Sequence, residues 1–289
     1  MSFAPLRNRI IRAGKIFKDS PCLFLVYLQR ELLKLNKLKP EFPAIIEFGE
    51  VLFELPSYDD NNLVEMYFRT YEISTEMLMR RYLRKGGVFV DIGANIGYFS
   101  AMAMNMVGSE GEVHSFEPLG LYFKSLQRLK ELNPNHRLII NNFALGDKEC
   151  EALINVSNFD IGSNTMVDMM LDENLIKETQ IVSVQKFDDY YLRNHIERID
   201  LIKIDVEGYE MCVFMGMVDY LSNCRQQKPP IICEITPSAY TYKGQGFETL
   251  FNYLKIFGYQ AYSEFNPGKK LSRLPTSQVF NVIFLHSSK

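Results

Sequence analysis

The sequence predicts an α/β protein: a doubly wound, Rossmann-like seven-stranded sheet preceded by an N-terminal helical extension. Three observations carry this. The stretch Val88–Ser100, VFVDIGANIGYFS, reads as strand, glycine-bearing turn and helix, the unit with which such a sheet holds a nucleotide-like ligand. From Val88 onward, strand and helix patterns alternate, which signals parallel pairing with helical crossovers. Four acids, Asp91, Glu117, Asp205 and Glu234, fall at or near the C-terminal ends of predicted strands, where an open α/β sheet gathers its ligands. A chain of 289 residues, 47% of them hydrophobic, is long and apolar enough to bury such a core.

Residues 1–45 form the extension. Its first 40 residues hold nine Lys/Arg against two Asp/Glu, a net +7 in a chain whose total is −3. Spacing predicts amphipathic helices over about residues 5–18 and 21–38, the second with Leu25, Leu28, Leu32 and Leu35 on one stripe. Such a basic segment suits a peripheral contact with an anionic membrane or with another protein; a solvated cap helix is the plainer reading. The apolar run Cys22–Leu28 is too short to span a bilayer, and no small-residue cleavage site follows it, so export is not expected. Five cysteines without a CxxC pair read as reduced thiols, and the expected location is cytoplasmic. The small net charge argues against a nucleic-acid partner.

Residues 46–86 are expected as a small hairpin and a lead-in helix. Ile45–Phe48 and Val51–Leu55 flank Gly49-Glu50, and Asn61–Arg84 has the apolar spacing of one long helix. A packed helix face explains Tyr71 there, with cofactor cover as the rival reading. Gly86-Gly87 ends the helix. Residues 87–289 are the predicted core domain. Its strands are expected at Val88–Asp91, Val113–Glu117, Arg137–Ala144, Leu201–Asp205 and Ile231–Ile235, closed by an antiparallel pair at Gln260–Phe265 and Val279–Leu285. Glu151–Val156 and Gln180–Gln185 read as extra strands around a polar loop. Helices are predicted at Tyr98–Met106, Leu121–Leu132, Phe187–His195, Met211–Ser222 and Phe247–Phe257.

The chemistry starts at the turn. Gly93 and Gly97 let the backbone approach a ligand where a side chain would clash. The turn reads D-x-G-x-N-x-G, with an acid ahead of it and Asn95 in its middle, rather than GxGxxG. A carboxylate there is a poor neighbour for a pyrophosphate and a good one for a cation, which suits S-adenosylmethionine with its sulfonium and amino groups. Glu117 ends the second strand 20 residues past Gly97, where an acid accepts hydrogen bonds from both ribose hydroxyls. Four acids at one rim argue for a cationic ligand and proton chemistry.

VFVDIGANIGYFS, VHSFEP, the ALGD turn, DLIKIDVEGYE and PPIICEI together resemble the FkbM family of class I S-adenosylmethionine-dependent methyltransferases, over about residues 70–240. The resemblance implies a cofactor set of Asp91, Gly93, Ala94, Asn95, Gly97, Tyr98 and Phe99 at the turn. It adds Glu117 and Pro118 at the ribose, and Asn142 and Ala144 beside the adenine. It also implies O-methylation of a hydroxyl on a sugar, glycolipid or polyketide-like small molecule. A hydroxyl is a weak nucleophile, so a general base is expected; Asp205 and Glu207 are the candidates, and which one acts stays open. No metal is expected, because the sequence offers no clear ligand set beyond paired carboxylates. The rivals are a nucleotide-sugar or dinucleotide enzyme, which Asn95 and the IDVEG element disfavour, and a non-catalytic scaffold of the same fold.

Overall fold

A computed structural model describes residues 40–57, 60–158, 162–167, 173–223, 228–242, 246–271 and 279–287, with five upstream positions, 14, 17, 24, 25 and 28, all helical. The predicted N-terminal helices otherwise lie outside the described residues.

Seven strands make the central sheet: β3 (Val88–Ile92), β4 (Glu112–Phe116), β5 (Arg137–Asn141), β9 (Leu201–Ile204), β10 (Ile231–Ile235), β11 (Tyr259–Ser263) and β12 (Phe280–His286). Their order is β11-β12-β10-β9-β3-β4-β5. Only β12 runs against the rest, paired antiparallel with both β10 and β11. The chain moves outward from β3 to β4 and β5, then returns to lay β9 on the other side of β3. The strand order therefore reverses between β3 and β9, and the crevice at their C-terminal ends is where such a sheet binds its ligand.

Both faces of the sheet are covered, so its strands read as apolar runs rather than alternating ones. Phe89, Leu201, Ile232 and Ile283 face one core. It is completed by α2 (Ile73–Tyr82), α3 (Tyr98–Val107), α4 (Gly120–Leu132) and the hairpin β1 (Ala44–Phe48) with β2 (Val51–Leu55). Val90, Ile92, Ile202, Ile204 and Phe284 face the other, against α5 (Phe187–Arg193), α6 (Glu210–Met215), α7 (Val218–Asn223) and α9 (Glu248–Ile256). The hairpin belongs to the first core: Phe53 is fully buried, and Phe48 meets Tyr98 edge to face at 5.4 Å.

Several expectations are corrected. The long helix expected over Asn61–Arg84 is two, α1 (Asn61–Tyr67) and α2, because Arg69 and Glu72 take left-handed φ of 55° and 38°. The third strand stops at Asn141 rather than Ala144. Ala144–Leu145 (β6) instead joins a separate three-stranded sheet with β7 (Cys150–Ser157) and β8 (Ile176–Gln185). The helix expected over Met211–Ser222 breaks at Gly216, which packs so closely on the Gly146 carbonyl that a Cβ would lie 2.0 Å from it. A further short helix, α8 (Pro237–Tyr242), was not foreseen.

Candidate functional site

The glycine turn is stitched to both neighbouring strands. The N–H groups of Gly93 and Ala94 donate to the Phe116 carbonyl at the end of β4, at 3.0 and 2.9 Å. Asp205 N–H donates to the Ile92 carbonyl at 2.9 Å, which brings the end of β9 against the turn. Gly93 sits there at φ +79°, and a Cβ on it would lie 1.9 Å from the Asp205 carbonyl oxygen. No L side chain fits that approach. Asn95 takes φ +52°, a conformation asparagine tolerates by bonding locally, and its Oδ1 accepts the Ile96 N–H at 2.7 Å.

At the strand ends lies an open cleft. Of the predicted cofactor residues, Gly93, Ala94, Asn95, Tyr98, Phe99, Glu117, Pro118 and Ala144 line it, and so do both candidate bases, Asp205 and Glu207. Three predicted residues are not among its walls. Asp91 is 1% exposed and accepts from Ser100 Oγ at 2.6 Å, and its other oxygen, Oδ1, has no hydrogen-bond partner among the described residues. Gly97 turns its Cα toward Leu126 of α4. Asn142 is exposed, and its amide donates to the Glu117 and Pro118 carbonyls at 2.9 and 3.0 Å, so it braces the rim from behind.

Glu117 is held between two N–H groups. Oε2 accepts from Asn95 at 2.9 Å and Oε1 from Leu119 at 2.8 Å. Burial outweighs these bonds and pushes the carboxyl up to about 7. The same cleft is lined by Asp205, Glu207 and Glu234, with Lys203 beside Asp205. Glu234 is raised well above the carboxylate range, first by burial and then by Asp205 and Glu207. Glu207 sits at φ +47° and its Oε2 accepts from Thr236 Oγ1 at 3.4 Å. Glu210, behind it, is fully buried; it accepts from Gly208 N–H at 2.7 Å and from Tyr240 Oη at 2.8 Å.

Sequence reasoning missed part of this wall. Glu72 joins Asp205 and Glu234 in a group whose carboxylate oxygens lie within 4.8 Å of one another, a set that can hold a metal ion. Tyr71, for which cofactor cover is the rival sequence reading to a packed helix face, sits in the break between α1 and α2 and lines the cleft with its ring 6.0 Å from Phe99. Lys203 carried a readable signal: a lysine inside the apolar strand LIKI with an acid two residues on. Met66, Ile154, Asn164 and Met166, from the lead-in helix and the β7 side, could not be placed without the tertiary fold.

The strand order with its reversal point, the glycine turn at that point and the acid closing the second strand define the class I S-adenosylmethionine-dependent methyltransferase type of fold. Residues 91–261 match the Methyltransferase FkbM domain, and the chain belongs to that family. The family's cofactor is S-adenosylmethionine. A curated relative, Methyltransferase 1 of Beauveria bassiana (strain ARSEF 2860), is 28% identical over 145 residues, covering 45% of this chain and 58% of its own. The chain thus spans a little over half the length of that relative. Among solved structures, an FkbM methyltransferase from Methylobacillus flagellatus KT has 15% identity, covers 79% of this chain and 56% of its own, and gives a TM-score of 0.43. An O-methyltransferase from Thermotoga maritima has 13% identity, covers 86% and 78%, and gives 0.42.

Proposed function

We propose that this chain is an S-adenosylmethionine-dependent O-methyltransferase acting on a hydroxyl of a sugar, glycolipid or polyketide-like small molecule. The observation that carries the reading is one cleft that gathers the Gly93 turn and the buried Glu117 together with Asp205, Glu207, Glu234, Tyr71 and Phe99. The residues present fit S-adenosylmethionine. The Gly93–Asn95 backbone lines the cleft, Glu117 offers carboxylate lone pairs to a ribose diol, and the surrounding acids favour a cationic ligand over a phosphate. Gly93, Ala94 and Asn95 would hold the methionine moiety, Glu117 and Pro118 the ribose, and Ala144 the adenine.

When bound, S-adenosylmethionine supplies a methyl group made electrophilic by its sulfonium. This chain's part is to hold the acceptor hydroxyl and take its proton. Asp205 or Glu207 accepts that proton as the oxygen gains the methyl, which leaves a neutral ether and a protonated carboxyl. Such a base contributes about 10²–10⁴-fold. Tyr71 is raised above its ordinary value, first by burial and then by the neighbouring carboxylates, so its phenol stays protonated and can donate to the acceptor. A cytoplasmic location, with a peripheral contact through residues 1–40, belongs to the same reading; no helix among the described residues is long and apolar enough to cross a membrane.

Two measurements test this. Metabolites and lipids from cells with and without the gene are expected to differ by species heavier by one CH₂, and their absence together with a lack of cofactor binding in vitro would refute the assignment. Cofactor affinity is also expected to depend on pH through Glu117. Its carboxyl titrates at about 7, and only the ionised form accepts from both ribose hydroxyls. Affinity should therefore be full above that value and fall roughly tenfold between about pH 8 and pH 6. Calorimetry should show this slope in the wild type and its loss in Glu117→Gln. An unchanged slope in the variant would remove Glu117 from the ribose site.

A further inference from the structure

Lys203 is an unusual residue for its place. It lies inside a parallel strand, is 3% exposed, and still lines the cleft. Among the described lining residues it is the one Lys, Arg or His. Its Nζ donates to Asp205 Oδ2 at 2.7 Å and lies 4.7 Å from the centre of the Phe99 ring. In the β3–β9 register its neighbour is Asp91. On the cleft side it meets the group Glu72, Asp205 and Glu234.

Three carboxylates at that spacing repel one another unless a proton or a cation stands among them. Glu72 is fixed in the group by neighbours outside it: Thr75 Oγ1 donates to it at 2.8 Å and Asn281 Nδ2 at 3.4 Å. Its backbone adopts a left-handed φ of 38° on the way into α2, and this conformation brings the carboxylate to the β9 side. The cluster is thus built by three separate segments of chain rather than by one acidic run.

We propose that Lys203 is the built-in cation of this cluster, standing where a divalent ion would otherwise be needed and positioning Asp205 toward the acceptor. A metal ion would have to compete for an Asp205 oxygen that the ammonium already holds, and would bring two further positive charges against a buried one. The ammonium is fixed by its contact with Asp205 Oδ2, by the Phe99 ring and by Asp91 across the β3–β9 register. Lys203 is therefore a positioning residue acting through Asp205 and not a general base. Methyl transfer at this site is then independent of divalent metal, although the carboxylates have the composition of a metal site. The inference rests on the cleft being the acceptor site, but it is tested without any acceptor.

The test is Mn²⁺ binding followed by electron paramagnetic resonance, with Mn²⁺ alone as the probe. Wild-type protein is expected to show no cluster binding at Kd below about 1 mM. Lys203→Met removes the charge at similar volume and should raise Mn²⁺ affinity by about 100-fold or more, since one unit charge leaves the immediate surroundings of the ion. Adding Glu234→Gln to that variant should abolish the gain. A merely structural lysine would not produce this signal, because disturbed packing creates no metal site. Two results would overturn the proposal: wild-type binding below about 1 mM that is lost in Glu234→Gln, or a Lys203→Met protein that melts cooperatively and stays silent toward Mn²⁺. If Lys203→Met does not melt cooperatively, Lys203→Gln takes its place, and the wild-type titration decides without a variant.

Discussion

Gly93→Ala is expected to lower S-adenosylmethionine affinity by about 100-fold or more and to lower the melting temperature as well. The reason is geometric. Gly93 sits at φ +79°, which costs an L-residue about 1–2 kcal/mol by itself. The new Cβ would stand 1.9 Å from the Asp205 carbonyl oxygen, and because that atom is backbone, no rotamer change relieves the clash. The ends of β3 and β9 must separate. The turn is anchored through Phe116 and Ile92, so the separation reaches Ala94 and Asn95, and through Asn95 it reaches Glu117. Destabilisation of about 2–4 kcal/mol follows, a fall of roughly 5–10 °C in a domain of this size. Gly120→Ala is the control. It opens α4, a Cβ there meets nothing within 4 Å, and alanine in a helix is favoured by up to about 1 kcal/mol. Calorimetry and thermal melts on both variants check the expectation. Near-normal binding by Gly93→Ala would show that the turn does not carry the cofactor.

How much of this was legible depends on how local each feature is. VFVDIGANIGYFS could be read because strand, turn and helix follow one another within 13 residues, and its glycines announce the backbone they need. The rim acids could be placed because parallel strands in such a sheet bring their C-terminal ends together, whatever the loops do. What stayed hidden depends on non-local approach. Glu72 and Tyr71 read as part of a helix because their spacing is helical. Only the left-handed backbone at Arg69 and Glu72, which propensity disfavours, breaks that helix and delivers them to the cleft. The same limit explains Ala144: it reads as the end of a third strand, yet it pairs with Val184, 40 residues on, because Asn142 turns the chain away by bonding to the carbonyls of the β4 rim. Asp91 reads as a ligand contact from its place before the turn, but strand alternation puts it under α3 against Ser100.

The two acids of the IDVEG element are expected to separate by experiment. The Asp205 carboxylate is joined to Lys203, while its backbone carbonyl abuts the Gly93 turn. Asp205→Asn is expected to weaken S-adenosylmethionine binding by about tenfold or more and to lower stability, because it leaves a buried ammonium with one fewer counter-charge. Glu207 projects from a left-handed position on the turn, and its carboxylate lines the cleft next to Glu234. Capping of the following helix is the plain alternative for it, but Glu210 is the residue that takes the Gly208 N–H. Glu207→Gln keeps the shape and loses the proton acceptor. It is expected to bind the cofactor almost as the wild type does, to melt within about 2 °C of it, and to lose turnover by about 10²-fold or more. Binding, melting and single-turnover rates on the two variants distinguish the outcomes. If Glu207→Gln retains near-normal turnover while Asp205→Asn loses it at saturating cofactor, the base is Asp205, with Lys203 fixing its carboxylate through their 2.7 Å contact.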